Sequence, residues 1–288
     1  MLVWPNFFIV GAPRSGTTSL YEYLKKIPEI YMSPIKEPNF FSLSLDLNFL
    51  FTKPVRNESD YLKLFNNTKN QKCIGEASSN YLWDIQAPKL ISKIIPKAKI
   101  IIILRNPIER AYSHYLMHIS NGSETRSFKE VIQEAQKPTT TDYVRRIIEA
   151  GFYNEQILNY QKFFPKSQMK IFFFEDFNKN TKQVIKDILN FLEIDSLIPN
   201  NLEIKYNQYS IPRGKFSSFI LSNKIIKKIA KILLSESLGT YFIKKIFNKK
   251  VLKPKLDPTE KFILEKIYKN DSQNLQKTLG QKIEWDFL

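Results

Sequence analysis

Apolar residues fall in short blocks separated by polar and Pro/Gly punctuation. Leu2 to Val10 is a hydrophobic run that stops at Gly11, a buried-strand signal. From Thr17 to Ile27 the period changes, and Leu20, Tyr23, Leu24 and Ile27 recur at helical spacing. Further strands are predicted at Lys72–Glu76, at Lys99–Leu104 between Pro96 and Pro107, and at Met169–Phe174, "MKIFFF". Helical patterns lie between them at Ala87–Ile95, Ile108–Ile119, Phe152–Phe164 and Thr181–Phe191. This alternation predicts an α/β fold in three layers, with a central, mainly parallel β-sheet flanked by helices. Ligands of such sheets sit at the carboxyl ends of the strands. The stretch from Ser120 to Asp142 is polar and irregular, and reads as a lid or an acceptor-binding loop. With no internal repeat and no long linker, residues 1–288 read as one domain.

Composition narrows the class. The chain is 43% apolar and 14% aromatic, which is globular rather than disordered. Cys73 is the only cysteine, so no internal disulfide can form. The run Ile100–Leu104 is far too short to cross a bilayer. The first motif starts within ten residues of Met1 and leaves no room for a signal peptide, so a cytoplasmic location is expected.

The net charge is +16, and residues 215–253 carry ten lysines against the single acid Glu236. Such a field draws polyanions. In this lysine-rich helical segment Ile225, Ile229, Ile232 and Leu233 form one face, and Lys224, Lys227, Lys228 and Lys231 another. The pattern fits a packed helix with a solvated lysine face. It also fits peripheral contact with an anionic membrane at its inner surface, or with an acidic glycan.

Two motifs carry chemistry. "FFIVGAPRSGTTSLYEYL", residues 7–24, is strand, Gly-bounded turn and helix. Gly11 and Gly16 keep the spacing of a Walker loop, but Thr17 stands in its lysine slot and Arg14 sits inside the turn. The amides of Ser15, Gly16, Thr17, Thr18 and Ser19 are expected to line a phosphate site at the helix N-terminus, helped by the hydroxyls and by Arg14. A plain helix-capping turn is the bland alternative. The second motif is "IIIILRNPIERAYSHY", residues 100–115. Its strand ends in Arg105, where a nucleoside triphosphatase would place an acid for Mg²⁺. Ser113 follows on the second helical turn. Arginine there suits direct capture of a phosphate, although a salt bridge to a nearby acid is the simpler reading of Arg105 alone. Two phosphate sites without a Mg²⁺ ligand imply a ligand phosphorylated at both ends.

At this point the chain resembles the sulfotransferases that use 3′-phosphoadenosine 5′-phosphosulfate (PAPS), in their bacterial and Golgi-type carbohydrate branch. "PRSGTTSL" looks like the 5′-phosphosulfate loop and "LRNPIERAYSHY" like the 3′-phosphate motif. The likeness continues in order through "KEPNFFS", "IGEASSNYL", "GFYNEQILNYQKFF", "KIFFFEDF" and the tail "LEKIYKNDSQNLQKTLG". The resemblance implies a P-loop-type fold, PAPS as co-substrate, no metal, and a glycan or glycolipid acceptor. It makes Glu37 the catalytic base and Arg14 the residue that neutralises charge on the leaving 5′-phosphate. Without it, Lys36-Glu37-Pro38 would read as a surface charge pair before a turn. "SIPRGKFSS" is similar to a third cofactor segment, with Arg213, Gly214 and Lys215 as candidates beside a plain basic loop. One departure stands out: several Golgi relatives have lysine after the glutamate of their "GE" segment, whereas Ala77 follows Glu76 here.

Rival readings remain. A P-loop kinase using ATP and Mg²⁺ is opposed by the missing lysine and acid. A non-enzymatic nucleic-acid-binding protein is opposed by basic residues that lack interleaved aromatics. His114 and His118 lie four apart on a predicted helix, but as the only histidines, with one cysteine, they do not complete a zinc site.

Overall fold

The computed structural model describes residues 3–45, 53–198, 210–212, 248–250 and 252–288. In chain order the elements begin with β1 (Phe7–Gly11), α1 (Thr17–Leu24), β2 (Ile30–Met32), α2 (Glu58–Lys63), β3 (Cys73–Ala77), α3 (Ala87–Ile94) and β4 (Lys99–Leu104). They continue with α4 (Pro107–Ser120), α5 (Phe128–Ala135), α6 (Asp142–Glu149), α7 (Tyr153–Gln161), β5 (Met169–Phe173), α8 (Phe174–Lys179) and α9 (Thr181–Phe191). Then come β6 (Ser210–Pro212), β7 (Asn248–Lys250) and the C-terminal helix α10 (Pro258–Leu279).

Five strands form one parallel sheet in the order β2-β3-β1-β4-β5. Its strands are hydrophobic on both faces because helices cover both. On one face Phe8, Val10, Ile100, Ile102 and Leu104 pack with Ala87 and Ile91 of α3, Ile157 and Tyr160 of α7, and Leu275 of α10. On the other, Phe7, Ile9, Ile101 and Ile103 pack with Leu20 and Leu24 of α1 and Ile185 and Ile188 of α9. The period-2 alternation of β4 therefore feeds two cores. Gly75 is required in β3, since a Cβ there would lie 2.1 Å from the Phe7 ring.

A third cluster joins α4, α5, α6 and α10 through Ile108, Leu116, Val131, Ile147, Leu264 and Tyr268. It corrects the reading of Ser120–Asp142 as irregular. Ser127 and Glu130 form a reciprocal capping box, and α5 buries Phe128, Val131 and Ile132. The turn before it is pinned by Glu124, which accepts from Arg126 Nη2 at 2.7 Å and from the Tyr143 hydroxyl at 2.6 Å. The predicted strand at Met169–Phe174 ends one residue early, and Phe174 opens α8. Among the described residues no helix is long and apolar enough to cross a membrane.

Candidate active site

The described candidate residues of the two phosphate motifs follow the carboxyl ends of β1 and β4. Beyond β1 the chain turns from Gly11 to Gly16 before α1 begins. Gly16 is left-handed (φ 89°), and no side chain caps the helix. A Cβ at Gly16 would meet the Phe174 ring at 3.0 Å and Phe177 at 3.3 Å, so the turn closes against α8 only because it carries none. The uncapped first turn keeps its amide donors and the positive end of the helix dipole, with no acidic residue beside them. The Ser15 amide is the exception. It bonds to the Ala12 carbonyl at 3.3 Å, which corrects the expectation that it faces the concavity with the other four. Ser15 Oγ is buried and has no hydrogen-bond partner among the described residues. Thr17 is buried, and Gly16, Thr18 and Ser19 are half-buried. An orphaned hydroxyl beside uncapped amides fits an anionic oxygen group.

The second motif meets this turn directly. Arg105 leaves β4 and donates through Nη1 to the Arg14 carbonyl at 3.2 Å. Its guanidinium lies 4.7 Å from the Phe174 ring centroid. The alternative reading, a salt bridge to a nearby acid, also forms, to Glu109 at 3.3 Å. Asn106 caps α4 through the amides of Ile108 and Glu109, and the second turn presents Ser113. Ser113 Oγ accepts from Arg14 Nε at 3.3 Å across 99 residues of sequence. Arg14 is left-handed (φ 69°) and half-buried. Burial and the neighbouring Arg105 lower its pKa to about 10, with Glu37 opposing and Arg110 adding to the fall. Burial lowers Arg105 as well, against the pull of Glu109 and Glu175.

Glu37 stands on a loop hung from the end of β3. Its own amide donates to the Ala77 carbonyl at 2.8 Å. Asn39 N donates to Ser78 Oγ at 3.0 Å, Phe41 N to the Tyr81 hydroxyl at 3.2 Å, and Asn80 Nδ2 to Asn39 Oδ1 at 2.8 Å. These bonds hold Glu37 (φ 62°) and Asn39 (φ 51°) in the left-handed region. The carboxylate oxygen Oε1 accepts from Lys36 Nζ at 2.9 Å and from Ser79 Oγ at 2.7 Å. Burial alone would raise the Glu37 pKa. Lys36, Arg146 and the Ser79 hydrogen bond outweigh it and hold the group at about 2. The Lys36–Glu37 pair does form, but half-buried rather than on the open surface.

Glu76 belongs to a motif, whereas Arg110 and Arg146 carried no local signal. Glu76 is fully buried beneath the Glu37 loop and accepts from the hydroxyls of Tyr61 (2.5 Å), Tyr81 (3.0 Å) and Ser78 (2.5 Å). Two of those hydroxyls also receive the Asn39 and Phe41 amides. The glutamate of the "GE" segment thus braces the loop from below. Burial raises its pKa to about 7 despite these three hydrogen bonds. Arg146 of α6 is buried, and its charge acts on Glu37. Arg110 is fully buried on α4 and donates through Nη2 to the Ile147 and Ile148 carbonyls, which ties α4 to the end of α6.

His114 lies beside Arg110, with Nδ1 3.3 Å from Nη1, and His118 Nδ1 lies 3.0 Å from Ser123 Oγ. Burial, then Arg146, pushes both imidazoles down, His118 to about 3, so both are neutral. No group of three or more potential metal ligands occurs among the described residues. Arg213, Gly214 and Lys215 lie outside the described residues, as do Lys224, Lys227, Lys228 and Lys231. The flanking stretches Ser210–Pro212 and Asn248–Lys250 pair as the antiparallel strands β6 and β7.

Comparison with known proteins gives a consistent set of matches. The family described as "Sulfotransferase domain" matches residues 5–279. Carbohydrate sulfotransferase 15 of Mus musculus is 29% identical over 248 residues, covering 67% of this chain and 44% of that protein. The bifunctional heparan sulfate N-deacetylase/N-sulfotransferase 4 of Mus musculus is 29% identical over 199 residues, 66% of this chain and 22% of that protein. The chain therefore spans less than half the length of these curated relatives. A crystal structure of a sulfotransferase from Alicyclobacillus acidocaldarius is 26% identical, covers 98% of both chains and superposes with a TM-score of 0.71.

Proposed function

We infer the reaction from one premise: the chain belongs to the sulfotransferase family, which matches residues 5–279. It transfers a sulfuryl group from PAPS to a hydroxyl or amine of a glycan or glycolipid. The observation that carries this reading is the junction of the two motifs. Arg14 bonds to Ser113, and Arg105 bonds to the Arg14 backbone. One ligand phosphorylated at both ends is then held by two linked cationic sites.

The residues present fit that donor. The buried Ser15 hydroxyl and the Gly16–Ser19 turn suit its 5′-phosphosulfate, and Arg105 with Ser113 suits its 3′-phosphate. When bound, the donor supplies an activated sulfuryl group. The chain does the rest by position and charge. Arg14 neutralises charge developing on the 5′-phosphate oxygen as the bond to sulfur breaks. Glu37 takes the proton of the attacking hydroxyl or amine, and Ser79 orients it through Oε1. Displacement is in line and needs no metal, because Arg105 stands where a nucleotide-triphosphate site would place a Mg²⁺ ligand. The glycan acceptor is supported by the carbohydrate sulfotransferase names among the relatives. The lysine-rich stretch is assigned to acceptor or anionic-surface contact by its charge alone.

Calorimetric titration tests the reading. Adenosine 3′,5′-bisphosphate binds in the presence of a chelator and more tightly than 5′-AMP. Equal affinity for the two, or binding of ATP that requires Mg²⁺, would favour the kinase instead.

A further inference from the structure

Glu37 is crowded by cations. Lys36 touches its Oε1, Arg146 acts on it from α6, and its charge acts on Arg14 of the β1–α1 turn. The Glu37 charge in turn helps raise the buried Glu76 carboxyl beneath it. A carboxylate paired so closely is ionised at any working pH, yet it is a weak acceptor for a proton. A base that must take one from a hydroxyl should shed a cation at the moment of attack.

Among these cations Lys36 is the one free to leave. Arg14 is tied to Ser113 and lies under Arg105, and Arg146 is buried in the helix layer. Lys36 carries a flexible four-carbon arm and keeps side-chain exposure of 19%. Among the described residues its ammonium bonds to Glu37 alone. The 2.9 Å contact from Lys36 Nζ to Glu37 Oε1 places the two side chains on one side of the loop. Glu37 keeps its second carboxylate oxygen clear of both Lys36 and Ser79.

We propose that Lys36 is a second catalytic cation, shared between the Glu37 carboxylate and the sulfuryl oxygens of the bound donor. The inference rests on the PAPS-dependent reading above. As the acceptor oxygen or nitrogen bonds to sulfur, the bond from sulfur to the 5′-phosphate oxygen breaks. Adenosine 3′,5′-bisphosphate leaves with that electron pair, and the acceptor proton passes to Glu37. Lys36 moves toward the three sulfuryl oxygens, neutralising them and freeing Glu37 to accept.

The test uses Lys36→Met, which keeps the length of the arm and removes its charge, and Lys36→Arg. Carbon-13 NMR of glutamate-labelled protein follows the Glu37 carboxyl with adenosine 3′,5′-bisphosphate bound and then with PAPS bound, without acceptor. The Glu37 pKa should rise on that exchange by more in the wild type than in Lys36→Met, because only the wild type loses its ammonium partner. Turnover of Lys36→Met should fall about 10²-fold or more, the range seen when one preorganised charge-stabilising donor is removed, while Lys36→Arg retains part of it. Calorimetry should give all three proteins similar affinity for adenosine 3′,5′-bisphosphate. An equal rise in wild type and Lys36→Met, or wild-type turnover in Lys36→Met, overturns the role of Lys36. Failure of the wild type to bind adenosine 3′,5′-bisphosphate overturns the cofactor reading beneath it.

Discussion

The two halves of the site are built in opposite ways. Around Glu37 the hydrogen bonds close on one another. The loop amides of residues 37, 39 and 41 all find partners at the end of β3, and Glu76 below accepts three hydroxyls. Around the β1–α1 turn they do not close. The helix is uncapped, Ser15 Oγ has no partner among the described residues, and burial and the Arg105 charge both press on Arg14. Crowded cations and an open helix end are unfavourable unless an anion completes them. The half proposed as base is preformed, whereas the half proposed for phosphate is one that a ligand finishes.

Substitutions can break this contrast, and the largest effect is expected at the base. Glu37→Gln keeps the shape and removes the proton acceptor, so turnover should fall by about 10²-fold or more. Affinity for adenosine 3′,5′-bisphosphate should barely change, since the phosphate contacts lie on other elements. Steady-state kinetics beside calorimetry separates the two halves. Next is Arg105→Ala on the phosphate side. A lost charge-assisted contact costs about 1.5–3 kcal/mol, so the preference for adenosine 3′,5′-bisphosphate over 5′-AMP should narrow roughly tenfold or more. A variant with unchanged preference would show that Arg105 serves only Glu109.

A third prediction concerns the brace under the base. Glu76 goes from an ordinary 4.5 to about 7 on folding, mainly through burial. Between those values the folded state holds a proton that the unfolded chain has released, so this group's contribution to stability declines as pH rises from 4.5 to 7. Glu76→Gln should abolish that component. Denaturant midpoints measured across the interval should slope less in the variant, and parallel curves would disprove the assignment. The smallest effect is expected for Ser79→Ala. One neutral hydrogen bond is worth about 0.5–1.5 kcal/mol, so turnover should drop by several-fold at most, with donor affinity intact.

How much of this was legible in the sequence depends on range. Motifs that are local in the chain were readable, because the strand–turn–helix at residues 7–24 and the Arg105–Ser113 spacing are set by neighbours. Most sheet strands and flanking helices followed from the change of period between 2 and 3.6. Some signals were present and passed over. Ser127 and Glu130 have capping-box spacing, and Leu264, Tyr268, Ser272 and Leu275 mark the buried stripe of α10. Others were not there to read. Arg146 sits in "DYVRRIIEA", an ordinary amphipathic helix, and reaches Glu37 only because Arg110 and the third hydrophobic cluster dock α6 on α4. The Arg14–Ser113 bond spans two strands that the sheet places side by side. Tertiary packing creates such pairs, so no window of the chain contains them.

Hydrogen exchange read by mass spectrometry, with and without saturating adenosine 3′,5′-bisphosphate, tests the contrast between the two halves most directly. The account predicts new protection in residues 16–19, where an anion completes the uncapped amides of α1. It predicts little change in β3 and at residues 37, 39, 41 and 42, whose amides are already bonded. Protection gained mainly in the Glu37 loop, or in neither half, would contradict it.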